Sequence, residues 1–183
     1  MEKEFKEVVR ILREAKRLKF IDDFALTGAL ALSALSQPRA TRDIDFLVTI
    51  DKKNIGRFVE WLKFVKRYNL TKHHTGRRKD HIKDLIEMPL GNTWADLIVT
   101  PGDIEKEAIA TALSVRAFKT SLKVIKPEFL IILKLIAGSE QDFIDAAQLW
   151  NGPLDKGLVR GMSKRLFLET KLKKMVGIAK KLP

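Results

Sequence analysis

Apolar residues recur at helical spacing near the start of the chain. Phe5, Val8, Val9, Ile11, Leu12 and Ala15 line one side of residues 2–19 and Lys or Arg fill the rest, which predicts an amphipathic outer helix. Residues 24–26 form a short apolar run ending at Thr27-Gly28, and residues 29–35 are then apolar on nearly every side, as in a buried helix. Gly28 permits a sharp turn between the two. Residues 43–49 alternate with period two and read as a strand, and residues 54–68 return to helical spacing with Ile55, Phe58, Val59, Leu62 and Val65 inward.

Two further strand-like runs, 82–88 and 94–100, flank Pro89-Leu90-Gly91-Asn92 and predict an antiparallel connection. Residues 104–113 read as helix, whereas 116–125 fit either state. Pro127 suits the first turn of a very apolar helix running to about residue 137, Gly138-Ser139 interrupts it, and 141–150 continue as helix. From residue 155 the pattern is helical and basic. The expected fold is α+β: a small mixed sheet flanked by helices over residues 1–125, then a helical C-terminal part, 126–183, packed on that core. Trp61 and Trp150 fall in helical apolar patterns and belong to the core.

The polar residues inside these apolar runs call for an explanation. Period two puts Asp43 and Asp45 on one face of their strand and Ile44, Phe46 and Val48 on the other. Adjacent carboxylates repel each other and resist desolvation, so a positive partner belongs between them. Arg39 and Arg42 can fill that role, and so can Mg²⁺ or Mn²⁺, hard cations held by one or two carboxylates plus substrate phosphates. Asp96 is a lone carboxylate within the apolar run 94–99. If its strand lies beside that of Asp43, the three carboxylates form a cluster for two divalent ions. Thr27-Gly28 before a helix is a place where free N–H groups favour phosphate. Lys134 is the sole charge between Phe129 and Gly138, so its ammonium needs either a route to solvent by snorkelling or an anion, a triphosphate or one of Asp142 and Asp145. Asp142 also stands at capping-box spacing from Ser139, which leaves Asp145 the better candidate for a positioned side chain.

Composition narrows the chemistry. The 183 residues contain no cysteine, which excludes disulfide scaffolds, Cys-ligated metals and thiol nucleophiles. The N-terminal residues are too highly charged for a signal peptide, and no apolar run approaches the ~20 residues of a membrane helix, so a cytoplasmic protein is expected. The net charge of +12 is uneven: +2 over residues 1–60, +7 over 61–83, −4 over 84–150 and +7 over 151–183. Two basic stretches around an acidic middle suit either solubility or a polyanionic partner. His73, His74 and His81 sit with Arg77, Arg78 and Asp80 in the first basic stretch without metal-ligand spacing on one helix face, so a solvated loop is expected there.

The run Leu26-Thr27-Gly28-Ala29-Leu30-Ala31-Leu32, followed by Arg39-Ala40-Thr41-Arg42-Asp43-Ile44-Asp45-Phe46-Leu47-Val48, resembles the signature of polymerase-β-like nucleotidyltransferases. Lys126-Pro127-Glu128 and residues 133–145 resemble the later lysine and aspartate motif of the AbiEii-type toxin branch, while Ala29 and Ser139 depart from its usual residues. The resemblance implies a Mg²⁺-dependent transfer of a nucleoside monophosphate from an NTP, such as ATP, to a hydroxyl acceptor with release of pyrophosphate. Asp43, Asp45 and Asp96 would bind metal; Lys134 and Asp145 would join them as catalytic residues; and Thr27, Gly28, Ala29, Arg39, Thr41 and Lys134 would contact the nucleotide. It further implies an RNA (such as tRNA) or protein acceptor and a cognate antitoxin. The alternative is a non-catalytic RNA-binding protein on the same scaffold.

Overall fold

The computed structural model describes residues 1–36, 41, 43–76, 84–100, 102–117 and 119–182. Helix α1 (Glu2–Arg17) buries Phe5, Val8, Val9, Ile11, Leu12 and Ala15 and places acids in its first turn and bases in its last, complementing its dipole. Strand β1 (Asp23–Leu26) leads into α2 (Gly28–Leu35), β2 (Ile44–Thr49) and α3 (Lys52–Glu60), whose N-cap Asp51 accepts from the Lys53 N–H. Strands β3 (Lys72–Thr75), β4 (Asp84–Leu90) and β5 (Thr93–Val99) precede α4 (Asp103–Ala110) and the hairpin β6 (Leu113–Ala117) and β7 (Thr120–Val124). The chain ends in α5 (Pro127–Ala137), α6 (Glu140–Trp150), α7 (Lys156–Arg165) and α8 (Glu169–Ala179).

The strands form one seven-stranded mixed sheet, ordered β3-β4-β5-β2-β1-β7-β6. The β2/β5 and β1/β7 pairs are parallel and the others antiparallel. Alternation divides the sheet into two faces. Phe24, Phe46 and their neighbours meet Phe5 of α1 on one face, with the Phe46 ring centroid 6.3 Å from that of Phe5 and 5.9 Å from that of Phe24. The other face carries Asp45 and receives α2 against β2, and α5 packs on α2. Helices α5 to α8 pack on one another around Phe129, Leu135, Phe143, Val159 and Met175. The α+β class is as the sequence predicts, and Trp61 and Trp150 are both buried. Among the described residues no helix is long and apolar enough to cross a membrane.

Several local expectations change. Val65 is 64% exposed, because α3 passes into a π-helical turn, Trp61–Val65, whose wider winding shifts which residues point inward. Only Ala31 and Leu32 of α2 are fully buried, since the sheet and the later helices cover part of its circumference. Strand β4 runs on through Pro89-Leu90, leaving Gly91-Asn92 as a two-residue turn with Gly91 at φ +60°. Pro89 is tolerated because β3 pairs with Asp84–Glu87 and stops short of it, so no neighbour on that side needs its missing N–H. The segment expected as a histidine loop contains edge strand β3, whose side chains are exposed and whose place is set by backbone pairing with β4. The ambiguous stretch 116–125 is most of a hairpin, with Lys119 at φ +61° in its turn.

Candidate active site

The site begins where β1 ends. Thr27 donates its N–H to the Asp45 carbonyl at 2.9 Å, and Gly28 then turns the chain into α2 at φ +65°. A Cβ at Gly28 would lie 1.9 Å from Asp45 Oδ2, so both conformation and space demand glycine. The next N–H, that of Ala29, donates to the Asp45 carboxylate, which ties this aspartate to the N-terminus of α2.

Asp45 on β2 stands directly opposite Asp96 on β5, and Asp96 stands opposite Glu87 on β4. Cross-strand partners share a face, so the three carboxylates form a lateral row on the α2 side of the sheet. Asp43 lies exposed, just before β2, with its N–H 3.2 Å from Thr41 Oγ1. Burial pushes the Asp45 carboxyl up to about 7, helped by the negative charges of Asp96 and Asp43 and opposed by Lys134 and the Ala29 N–H. Asp96 is also raised, first by burial and then by Glu87 and Asp43, with His74 opposing. Among the described residues none of Asp43, Asp45 and Asp96 has an ion-pair partner.

The structure therefore brings β5 beside β2 and puts Asp43, Asp45 and Asp96 within each other's field. Among the described residues no three carboxylate or histidine side chains are close enough to hold a metal ion by themselves. The donors still fit a hard divalent cation. They are oxygens held in mutual repulsion, and Mg²⁺ is commonly bound by one or two carboxylates and completed by phosphates and water.

Lys134 projects from α5 with its Nζ 2.7 Å from Asp145 Oδ2 and 3.2 Å from Asp142 Oδ1. Of the two anion sources open in the sequence, the aspartates supply this one. Asp145 is fully buried on α6 and also accepts from Gln141 Nε2 at 2.8 Å. Asp142 forms the capping box of α6: its carboxylate accepts from the Ser139 N–H, while Ser139 Oγ accepts from the Asp142 N–H. Lys134 remains near enough to Asp45 to lower its pKa, which joins the helical part to the carboxylate row.

The Thr27 side chain is buried, so its backbone is the part that faces the turn. Arg39, Arg42, Arg77, Arg78, Asp80 and His81 lie outside the described residues. His73 Nε2 is 2.9 Å from Asp84 and His74 Nε2 is 2.7 Å from Glu87, so each histidine braces β3 on β4. Sequence reasoning missed Glu87, His74 and Gln141. The first two join the site only through strand register; Gln141 carried a faint signal in its i,i+4 spacing to Asp145.

The profile of the family described as "Nucleotidyl transferase AbiEii toxin, Type IV TA system" matches residues 10–122, well over half of the chain. The chain belongs to the AbiEii nucleotidyltransferase toxin family. As a member it is a nucleotidyltransferase, and the Gly28 turn, Asp43, Asp45 and Asp96 all fall within the matched region. No curated protein matches it in sequence. An antigenic nucleotidyltransferase-like protein from Paracoccidioides brasiliensis is similar in structure, with a TM-score of 0.52, 19% identity and 93% of each chain covered. The antibiotic-resistance factor ANT(2'')-Ia is also similar, with a TM-score of 0.54 and 14% identity over 95% of this chain and 97% of that one. At these identities the likeness shows a shared fold.

Proposed function

We propose that this family member transfers a nucleoside monophosphate from an NTP to the hydroxyl of an RNA acceptor and releases pyrophosphate. The observation that carries the reading is the register of Asp45 against Asp96, with Asp43 alongside and the Gly28 turn packed on Asp45. In the proposed site the triphosphate lies against the backbone of Thr27, Gly28 and Ala29, where α2 offers N–H groups and a positive dipole end. Arg39 and Thr41, between α2 and β2 in the sequence, would contact the same nucleotide. Lys134 adds positive charge on that side, and Asp145 with Gln141 fixes its orientation. Asp43, Asp45 and Asp96 would hold Mg²⁺, which when bound supplies charge neutralisation at the phosphates and favours ionisation of the acceptor hydroxyl. The carboxylate row thus lies between a nucleotide side at α2 and an acceptor side toward β4 and β3. Attack of the acceptor oxygen on the α-phosphorus breaks the α–β phosphoanhydride bond, and pyrophosphate leaves.

The family description supports a toxin role with a cognate antitoxin, and the basic stretches 61–83 and 151–183 support a polyanionic acceptor. The test is incubation with each labelled NTP, Mg²⁺ and total RNA, followed by separation of RNA and pyrophosphate. Label is expected in RNA with the wild type and is expected to vanish with Asp43→Ala or Asp45→Ala. Labelling that survives both substitutions, or none under any NTP, would overturn the assignment and leave the non-catalytic RNA-binding reading.

A further inference from the structure

We propose that Trp94 and Lys72 form a docking subsite for the 3′-terminal base of a single-stranded RNA acceptor, an inference that takes its acceptor from the transferase reading above. Trp94 is two residues before Asp96 on β5, so both side chains stand on the same face. Of the three tryptophans, Trp61 and Trp150 are 7% and 6% exposed, whereas Trp94 is 41% exposed. A large indole left in solvent beside a row of carboxylates is not core, and an exposed aromatic is the surface on which single-stranded bases stack.

The layout of the site is asymmetric. The Gly28 turn, α2 and Lys134 lie on the Asp45 side, while the sheet continues past Asp96 into β4 and the edge strand β3. An acceptor reaching Asp96 without crossing the nucleotide must come over that extension. Lys72 lies there, opposite Glu87, with its ammonium over one face of the Trp94 ring, 5.8 Å from the centroid. It belongs to the +7 stretch 61–83, the charge a phosphodiester backbone requires. Glu87, the carboxylate between Lys72 and Asp96, is engaged by His74 at 2.7 Å.

The spacing fits one nucleotide. A two-residue step along the strand sets Trp94 ~7 Å from Asp96, about the reach from a stacked base to the hydroxyls of its own ribose. A base on Trp94 thus delivers its ribose to Asp96 and its phosphate to Lys72.

The test uses the full chain with EDTA and no NTP, so that it reads binding alone. Because Trp61 and Trp150 are buried, a short single-stranded RNA is expected to quench tryptophan emission through Trp94. Trp94→Phe should keep affinity within about threefold and lose most of the quench, and Trp94→Ala should weaken binding by about tenfold or more. Lys72→Ala should lower the salt slope by about one. Unchanged melting temperatures would exclude misfolding of these surface variants. Wild-type affinity in Trp94→Ala, equal binding of an RNA with an abasic 3′ end, or a Trp94-dependent quench by an aminoglycoside but not by RNA would each overturn the subsite. Trp94-dependent RNA binding without nucleotide transfer would keep the subsite and remove the catalytic reading. Transfer with an acceptor KM unaltered by Trp94→Ala would do the reverse.

Discussion

Asp45 and Asp96 face each other across the parallel strands β2 and β5, and each holds the proton more tightly than a free aspartate does. Such a pair works against folding at neutral pH in the absence of a cation, as expected of a site arranged for binding rather than for stability.

Replacing Asp45 should separate those two roles. Asp45→Asn retains an acceptor for the Ala29 N–H and removes a buried charge, so the metal-free protein should become more stable at pH 8, by on the order of a few kcal/mol. Nucleotide transfer should fall by at least about two orders of magnitude. Denaturant unfolding in EDTA and a labelled-NTP assay on the same preparation check both.

The pH dependence has a definite sign. The Asp45 carboxyl is raised from 3.8 to about 7, so its contribution to stability is fully present below pH 3.8 and is lost as pH rises through about 7. Mg²⁺ competes with that proton. Melting curves with and without Mg²⁺ should give a larger upward shift at pH 8 than at pH 5.5, and Asp45→Asn should flatten the difference.

Lys134 is expected to matter to the fold before it matters to a substrate. Lys134→Met removes the ammonium that lies 2.7 Å from the fully buried Asp145 and 3.2 Å from Asp142, and should destabilise the protein by about 1.5–3 kcal/mol. The losses of Lys134→Met and Asp145→Leu should not add in the double variant, because the two side chains are in direct contact. Urea unfolding of the two single variants and the double variant gives the coupling directly.

Gly28→Ala should cost more than about 1 kcal/mol, because φ +65° disfavours a side chain and its methyl would meet the Asp45 carboxylate. The methyl can be accommodated only by displacing Asp45, so activity should fall together with thermal stability. A melting curve and an NTP-binding titration on the variant test the linkage.

The carboxylate row was partly legible in the sequence. Asp43 and Asp45 are set apart by period two, and Asp96 stands out as a charge inside an apolar run, because local alternation depends only on neighbours in the chain. Glu87 and His74 gave no such signal. Glu87 looks like an ordinary polar position in a half-exposed strand, and it faces Asp96 only because β4 pairs with β5 in one particular register. Val65 fails for a related reason: helical spacing presumes a constant pitch, and the π-helical turn at Trp61–Val65 breaks it.

The sequence by itself determined the amphipathic helix α1, the apolar strands, the glycine turn, the Pro127 start and Gly138 end of α5, and the identity of the isolated charges. All of these follow from propensity and periodicity within a few residues. Only the tertiary structure decided that β5 inserts beside β2, that Lys134 is balanced by Asp145, and that Trp94 remains in solvent on the Asp96 face. Each of those relations joins segments 11 to 51 positions apart in sequence or depends on what packs against them. Their free energy comes from burial, strand register and charge pairing, which no local pattern contains.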